Sequence, residues 1–408
     1  MEKENSESGG IAIKILLALS LAHFLNDLLQ SIITASYPLL KEELGLTFSQ
    51  IGLITLVYQI AASIFQPVAG MLFDRWPNRR SIQIATCFTM TGLLVLSFAS
   101  EVGVVMGAVA LVGIGSAILH PEASRVTSLA SGGKRGFAQS VFQVGGNLGG
   151  SLGPLLVAWL VAPYTRSNIA FFAILSVVGL WTAMPIVRWY GGYLKENRAS
   201  KRATYVGRER PFGTGKTAMI IGVLSVLIFS KYIYMASLTN YYTFYLIEKF
   251  GVSVQTSQVC LFVFLFATAA GTLVGGPVGD KIGRKYVIWI SILGCAPFSL
   301  LMPHVGTDIL SASMDAAFCV TVALSFCAGF MLSSAFPAIL LYSQELLPQA
   351  LGLVSGLFFG FAFGVAGISA AILGHFADIY GVEAVYGVCG YMPLIGIVAI
   401  FLPNLQKK

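Results

Sequence analysis

Long apolar stretches recur along the whole chain and are separated by short polar segments. A helix needs about 20 apolar residues to cross the hydrocarbon core of a membrane. Twelve stretches meet that length, at roughly 15 to 40, 48 to 72, 81 to 99, 102 to 129, 136 to 162, 168 to 190, 217 to 246, 255 to 278, 286 to 303, 309 to 342, 351 to 374 and 383 to 402. The pattern predicts an all-α integral membrane protein with twelve transmembrane helices.

The second half of the chain repeats the first. A shift of 206 residues superposes helices one to three on helices seven to nine, and a shift of 216 superposes helices four and five on ten and eleven. The matched pairs include Glu42 and Glu248, Gly45 and Gly251, Asp74 and Asp280, Gly113 and Gly329, and Pro121 and Pro337. We therefore predict two pseudo-symmetric six-helix halves, at 1–190 and 217–408, joined by a linker at 191–216. Such parallel repeats are typical of transporters whose substrate site lies between the halves.

The charged residues support this topology. Only 11% of the 408 residues are charged, against about 25% in soluble domains. The net charge of +7 comes from basic residues that gather on one side. With a cytoplasmic N-terminus, only Lys41, Arg166 and Lys249 fall in outer segments, as the positive-inside bias requires. We expect cytoplasmic termini, a cytoplasmic linker and no nucleic-acid partner.

No motif predicts an enzyme, a cofactor or a metal site. The six cysteines lie within apolar runs without metal-ligand or redox spacing, so we interpret them as packing residues. A segment at 213–217 reads GTGKT, but a phosphate loop would need Gly where Arg210 stands. The chain contains no HExxH motif.

Two related loops resemble the signature loop of the major facilitator superfamily. The segment at 70–80 reads GMLFDRWPNRR, and its repeat at 276–285 reads GPVGDKIGRK. The resemblance implies a gate, because a carboxylate on a tight turn can bind nearby cations and a helix N-terminus and release them when the halves rock. The candidate gate residues are Asp74, Arg75, Arg79, Asp280, Lys281 and Arg284. Alternatively, these charges only fix the topology.

Helix five carries Gly145, Gly149, Gly153 and Pro154. This spacing resembles part of the antiporter signature of drug-efflux members of the superfamily. Small residues at every fourth position also allow close helix packing. Both interpretations stay open from the sequence.

Four further segments resemble the fosmidomycin resistance group of bacterial efflux carriers more specifically. They read SLAHFLND at 20–27, LHPEASRV at 119–126, QSVFQVGGN at 139–147 and FSKYIYMAS at 229–237. The resemblance implies a monomeric carrier in the bacterial inner membrane that exports drugs, with fosmidomycin as the named substrate and protons as the coupling ion. The Arg that the superfamily usually carries early in helix four is replaced by Val109, which directs attention to ionisable residues further along that helix.

Asp27 lies near the middle of helix one. His23 precedes it by one turn, and Asn26 and Gln30 lie on the adjoining face. An ionised carboxylate facing lipid would cost several kcal/mol, so Asp27 must face a cavity or a partner. A carboxylate that alternates between an apolar site and a neighbouring cation takes up and releases a proton. We predict proton coupling at Asp27 and His23, with a buried structural hydrogen bond as the alternative.

Lys231 lies at the same depth in helix seven, the repeat partner of helix one. Tyr234, Tyr241 and Tyr245 follow at i+3, i+10 and i+14, and we predict that they form a substrate-binding face with Lys231. An ammonium group there suits the anionic group of a phosphonate. A plain ion pair between Lys231 and Asp27 is an equally supported alternative.

Helices four and five supply the remaining candidates. His120 and Glu122 flank Pro121, which frees a backbone carbonyl, and we assign both residues to proton coupling. Arg125, one turn further, is a substrate-binding candidate that could also snorkel to the interface. Gln139, Gln143 and Asn147 form a polar stripe that predicts a cavity wall, with interhelical hydrogen bonding as the alternative.

Together these features predict a proton-coupled exporter of drugs that works by alternating access. The same architecture also fits a proton symporter or a facilitated uptake carrier for a small anionic metabolite. The sequence does not decide the direction of transport.

Overall fold

A computed structural model describes residues 11–199, 211–306, 313–347 and 351–405. These residues form a bundle of twelve helical units, some of them interrupted. The units are α1 (Ile13–Ala35, continued by Tyr37–Leu44), α2 (Phe48–Arg75), α3 (Ser81–Phe98), α4 (Val102–Leu129), α5 (Arg135–Leu160), α6 (Arg166–Phe172, Ala173–Thr182 and Met184–Ala199), α7 (Thr214–Phe250), α8 (Val254–Ile282), α9 (Arg284–Leu293, Ala296–Leu301 and Met302–His304), α10 (Met314–Ser333 and Ala335–Leu346), α11 (Leu351–Tyr380) and α12 (Val382–Cys389 and Met392–Phe401).

Eleven of these units are long and apolar enough to cross a membrane. The remaining unit, α5, is 26 residues long but contains Gln139, Gln143, Asn147 and many glycines, which lower its hydropathy. Those residues face other helices and an internal cavity, as described below. The predicted all-α membrane fold is confirmed.

The repeat is visible in how equivalent helices end. Gly45 follows the continuation of α1 with φ of 62°, and Gly251 follows α7 with φ of 64°. Both glycines cap a helix in the left-handed conformation that only glycine adopts without strain. Their sequence separation equals the 206-residue shift that superposes the two halves.

The halves meet along two helix pairs. α2 packs along α11, and α5 packs against α8. Glycines bring the first pair close, because a Cβ at Gly360 would lie 2.9 Å from the carbonyl oxygen of Ser63.

The two ends of the bundle are named as follows. We call the end of the bundle with the start of α1 and the α2–α3 loop the linker end. The other end, with the start of α2 and the end of α11, is the opposite end.

The glycines of α5 pack against α1. A Cβ at Gly145 would collide with the backbone carbonyl of Ser20, and one at Gly149 would collide with that of Phe24. Close helix packing therefore accounts for this stripe in the structure. Its relation to an antiport mechanism stays a prediction.

Helical structure continues into the predicted linker, since α6 ends at Ala199 and α7 begins at Thr214. In a variant without its six native cysteines, a cysteine replacing Ser200 should react with a membrane-impermeant thiol reagent only after the cells are opened. Tyr164, which is exposed at the opposite end, gives the matched position, and Tyr164→Cys should react in sealed cells. Labelling of position 200 in sealed cells would show that the predicted topology is wrong.

Candidate functional site

A cavity of about 130 Å³ lies between the two halves. The N-terminal half contributes His23, Asp27, His120, Gln143 and Asn147 to its wall. The C-terminal half contributes Lys231, Tyr232, Met235, Thr268, Ser333, Phe336, Pro337, Phe359 and Phe363. The wall is thus apolar and aromatic with a few ionisable groups, which is typical of small-molecule sites.

The ionisable groups that the N-terminal half contributes to the cavity wall form one tight cluster. His23 Nε2 lies 3.1 Å from Asp27 Oδ2, and His120 Nε2 lies 3.6 Å from Asp27 Oδ1. The two Nε2 atoms are 3.2 Å apart. The side chain of Asp27 is 25% exposed, whereas each ring is only 4% exposed. The carboxylate is therefore the member of the cluster most open to the cavity.

Backbone groups hold both imidazole rings in place. His23 Nδ1 is 2.8 Å from the carbonyl oxygen of Phe142, and the two rings of these residues stack with centroids 4.0 Å apart. His120 Nδ1 is 2.9 Å from the carbonyl oxygen of Ser116. A carbonyl oxygen can only accept, so each Nδ1 donates its hydrogen. Both Nε2 atoms consequently point into the cluster.

Lys231 faces the cavity from the other half. The residue is 4% exposed, and its ammonium group lies 5.4 Å from the ring centroid of Tyr232 and 5.6 Å from that of Phe336. Within the described part of the chain, no carboxylate or hydrogen-bond acceptor pairs with it. The alternative ion pair with Asp27 is absent from this conformation, in which Asp27 contacts the two histidines instead.

The three tyrosines predicted to form a face beside Lys231 lie outside the wall of this cavity, so their substrate-binding role stays a prediction. Tyr234 is fully buried and contributes nothing to the cavity wall. Tyr241 donates to the carbonyl oxygen of Ala370 at 2.6 Å, and Tyr245 donates to that of Met302 at 3.3 Å. Tyr234 and Tyr245 pack into the interior of the C-terminal half, whereas the ring of Tyr241 also meets that of Phe48 in the N-terminal half, with centroids 6.4 Å apart. The aromatic neighbours of the ammonium are Tyr232 and Phe336.

Asn26 and Gln30 also lie outside the cavity wall. The amide nitrogen of Asn26 donates to Asp27 Oδ1 at 3.1 Å, but the residue lines a small pocket between α1, α3 and α6. Gln30 accepts a hydrogen bond from the hydroxyl of Tyr58. Asn26 thus contacts Asp27 from the side away from the cavity. Neither amide is placed to contact a substrate in this cavity.

Glu122 and Arg125 pair with each other. Arg125 Nη2 lies 2.7 Å from Glu122 Oε1, and it also donates to the hydroxyl of Tyr190 in α6. Glu122 is 2% exposed. Neither residue lines the cavity. Their side chains lie on the side of α4 where Arg125 reaches Tyr190 of α6, within the N-terminal half.

The polar stripe of α5 follows the boundary between the halves. Gln143 and Asn147 line the cavity, and Asn147 donates to Thr272 of α8 at 2.8 Å. Gln139 lines a second cavity of about 40 Å³ nearer the linker end. Pro337 lines both cavities, so they adjoin each other along α10.

Hydrogen bonds join the halves at the opposite end. Asp378, near the end of α11, accepts from the backbone N–H groups of Phe48 and Ser49 at 2.9 and 2.8 Å. These are the first N–H groups of α2, so a carboxylate of one half caps a helix of the other. Thr55 donates to Asn240 at 2.8 Å across the same boundary. No sequence pattern identified Asp378, because its partner lies more than 300 positions away.

The side chains of Asp74 and Asp280 lie outside the described residues, so their gate role stays a prediction. Arg75 is exposed and lies against the ring of Trp76. Arg284 forms an ion pair with Glu345 of α10, within the C-terminal half. Arg79 and Lys281 are exposed at the linker end.

Known proteins resemble the chain over its whole length. The sequence profile of the Major Facilitator Superfamily matches residues 19–245 and 220–408. The fosmidomycin resistance protein of Escherichia coli K12 is 52% identical over 394 residues, which cover 97% of this chain and 94% of that protein. The MFS-type transporter YfnC of Bacillus subtilis 168 is 34% identical over 412 residues, covering 100% and 97%. A probable L-galactonate transporter of E. coli K12 is 26% identical over 356 residues, covering 78% and 74%.

Proposed function

The chain belongs to the major facilitator superfamily and is a transporter, and from this premise we propose that it exports fosmidomycin-like phosphonate drugs in exchange for protons. The relative at 52% identity is named for resistance to fosmidomycin. The observation that carries the proposal is the cavity between the halves, with a carboxylate and two histidines on one wall and, on the other, an ammonium that no described residue pairs with.

The two walls suit two different tasks. The cluster of Asp27, His23 and His120 can hold a proton, because a positive charge between the carboxylate and the two Nε2 atoms offsets their mutual repulsion, and the cavity exposes Asp27 to exchange. Lys231 can hold an anionic group, because its ammonium is desolvated and has no counter-ion among the described residues. A phosphonate bound to Lys231 would therefore enter the space next to the proton site.

The contacts at the opposite end of the bundle and the second cavity toward the linker end support alternating access. At the opposite end, hydrogen bonds that Asp378 and Asn240 accept from Phe48 and Thr55 tie the halves together. Toward the linker end, the cavity adjoins a second cavity that extends along α5 and α10. In the proposed cycle, the halves rock so that the ties at the opposite end open while the linker end closes.

The cap at Asp378 gives a test of this cycle. Asp378→Ala should weaken the closed opposite end by about 0.5–2 kcal/mol, the usual value of a helix cap, and so raise the population that is open there. Spin-label distances across the opposite end would measure that population. The control is Thr47→Ala, which removes a cap on the same helix that does not cross between the halves. Equal populations in both variants would exclude the proposed tie.

Transport in proteoliposomes with an imposed pH gradient tests the function itself. If drug and protons exchange, an acidic lumen should drive fosmidomycin into the vesicles, because protons leave as the drug enters. The result does not depend on how the protein is oriented in the vesicle. Accumulation driven by an acidic exterior would instead show symport.

Uptake of a small anionic metabolite is the second candidate function. A relative at 26% identity is named as a probable L-galactonate transporter, and Lys231 would suit any carboxylate or phosphonate. Loss of the gene should make cells more sensitive to fosmidomycin if the chain exports drugs. Loss of growth on an anionic carbon source, without a change in sensitivity, would favour uptake.

A further inference from the structure

The geometry points to a binding site for a divalent transition-metal ion, of the Zn²⁺ class, formed by His23, Asp27 and His120. The sequence predicted no metal site, since its cysteines lack ligand spacing and the three ligands come from two distant segments. The inference does not depend on drug export, because it concerns what the cluster binds rather than what the protein carries.

The separations between the three side chains match a metal site. Zn²⁺ binds imidazole nitrogen and carboxylate oxygen at about 2.0–2.2 Å, so neighbouring ligands of a tetrahedral ion lie about 3.3–3.6 Å apart. The nearest atoms of the three pairs are 3.1, 3.2 and 3.6 Å apart, with His23 next to one oxygen of Asp27 and His120 next to the other. One ligand atom from each side chain lies within 4.8 Å of the other two. All three side chains line the cavity, so a fourth ligand can reach the ion from there.

The surroundings of the two histidines also fit. Histidines that bind metals usually donate their other ring N–H to a backbone carbonyl or a carboxylate. Here His23 donates to Phe142 and His120 donates to Ser116, which leaves the Nε2 lone pairs of the neutral rings facing each other. Two lone pairs and a carboxylate at this distance repel one another unless a positive charge lies between them. A proton or a metal ion satisfies that requirement.

The donor set selects the kind of metal. Two imidazoles and one carboxylate suit Zn²⁺, Co²⁺, Ni²⁺ or Fe²⁺, whereas Mg²⁺ and Ca²⁺ require a shell of oxygen atoms. The cluster contains no thiolate. Bound Co²⁺ should therefore show the visible absorption of a nitrogen and oxygen site without a sulfur charge-transfer band.

Gly146 of α5 leaves room for the cluster. A Cβ at this position would collide with the ring of His23 and lie 2.7 Å from Asp27 Oδ2. A Cβ added to Gly150, one turn further along the same helix, would meet no atom within 4 Å. Gly146→Ala should therefore disturb the site, whereas Gly150→Ala should not.

Metal binding to the purified full-length protein tests the proposal. The protein must carry an affinity tag without histidines and be freed of metal with a chelator. Calorimetry with Zn²⁺, and absorption spectra with Co²⁺, should show one ion per chain that Mg²⁺ does not displace. His23→Gln, His120→Gln and Gly146→Ala should each lower the affinity at least about tenfold, since loss of an outer-shell partner alone costs about 10- to 100-fold.

Two matched controls complete the test. His375→Gln removes an exposed histidine and Gly150→Ala adds the same methyl group elsewhere in α5, so both should bind Zn²⁺ like the parent. The inference is overturned if the parent binds no stoichiometric ion, if the cluster variants bind as tightly as the parent, or if the Co²⁺ spectrum indicates sulfur. Binding is measured without a proton gradient, so failure of this proposal leaves the transport proposal standing, and the reverse also holds.

Discussion

Replacing Asp27 by Asn should abolish gradient-driven accumulation of drug while leaving drug exchange between the two sides of the membrane intact. The amide keeps the size of the carboxyl group and resembles its neutral, protonated form. It cannot release a proton, so the carrier should bind and move drug without coupling that movement to the gradient. In proteoliposomes, accumulation driven by an acidic lumen should fall to the level of protein-free vesicles, and counterflow of labelled drug should continue.

The matched control is Asp315→Asn, which makes the same chemical change at an exposed position at the start of α10. It should accumulate drug like the parent. If Asp27→Asn also retained full gradient-driven accumulation, Asp27 would not carry the coupling proton. The cluster with His23 and His120 would then be structural.

The helical architecture could be predicted from the sequence because a membrane imposes strong constraints on it. Hydrocarbon leaves backbone groups no partners except each other, so a run of about 20 apolar residues has one stable structure. The predicted fourth stretch at 102 to 129 coincides with the helix Val102–Leu129. The main departure is α6, which continues to Ala199 because the polar segment that follows the apolar stretch is itself helical.

The cavity was predicted less well, because helical spacing shows which residues share a face but not which way that face turns. At 100° per residue, Tyr234, Tyr241 and Tyr245 lie about 40–80° from Lys231 on one side of α7. Tyr232 and Met235 lie about 40–100° away on the other side, and that side faces the cavity. The two sets of side chains are thus about 80–180° apart around the helix axis, and helical spacing alone does not show which of them turns toward the cavity.

The contribution of α10 and α11 to the cavity had no signal in the sequence. Phe336, Phe359 and Phe363 line the cavity from the C-terminal half. The rings of Phe359 and Phe363 pack against the ring of His120. Phenylalanines are so frequent in membrane helices that none of the 28 in the chain stands out. Only the packing of the two halves shows which of them meet the site.

Replacing Lys231 by Gln should weaken the binding of anionic substrates selectively. The ammonium is buried against Tyr232 and Phe336 and has no counter-ion in the described part of the chain, so an anionic group is the partner that its surroundings lack. Loss of a charge-assisted hydrogen bond costs about 1.5–3 kcal/mol, which corresponds to about 10- to 150-fold in affinity. Neutral and cationic substrates should bind as they do to the parent, because glutamine removes the charge but keeps a polar side chain of similar size.

Equilibrium binding of a phosphonate and of a neutral drug to the purified protein would measure this selectivity. Lys216→Gln is the control, since it removes the same charge from an exposed position at the start of the same helix and should leave both affinities unchanged. If Lys231→Gln lost the neutral drug as severely as the phosphonate, Lys231 would not recognise charge. Its role would then be to hold the shape of the cavity, and the division of labour between the two walls would have to be abandoned.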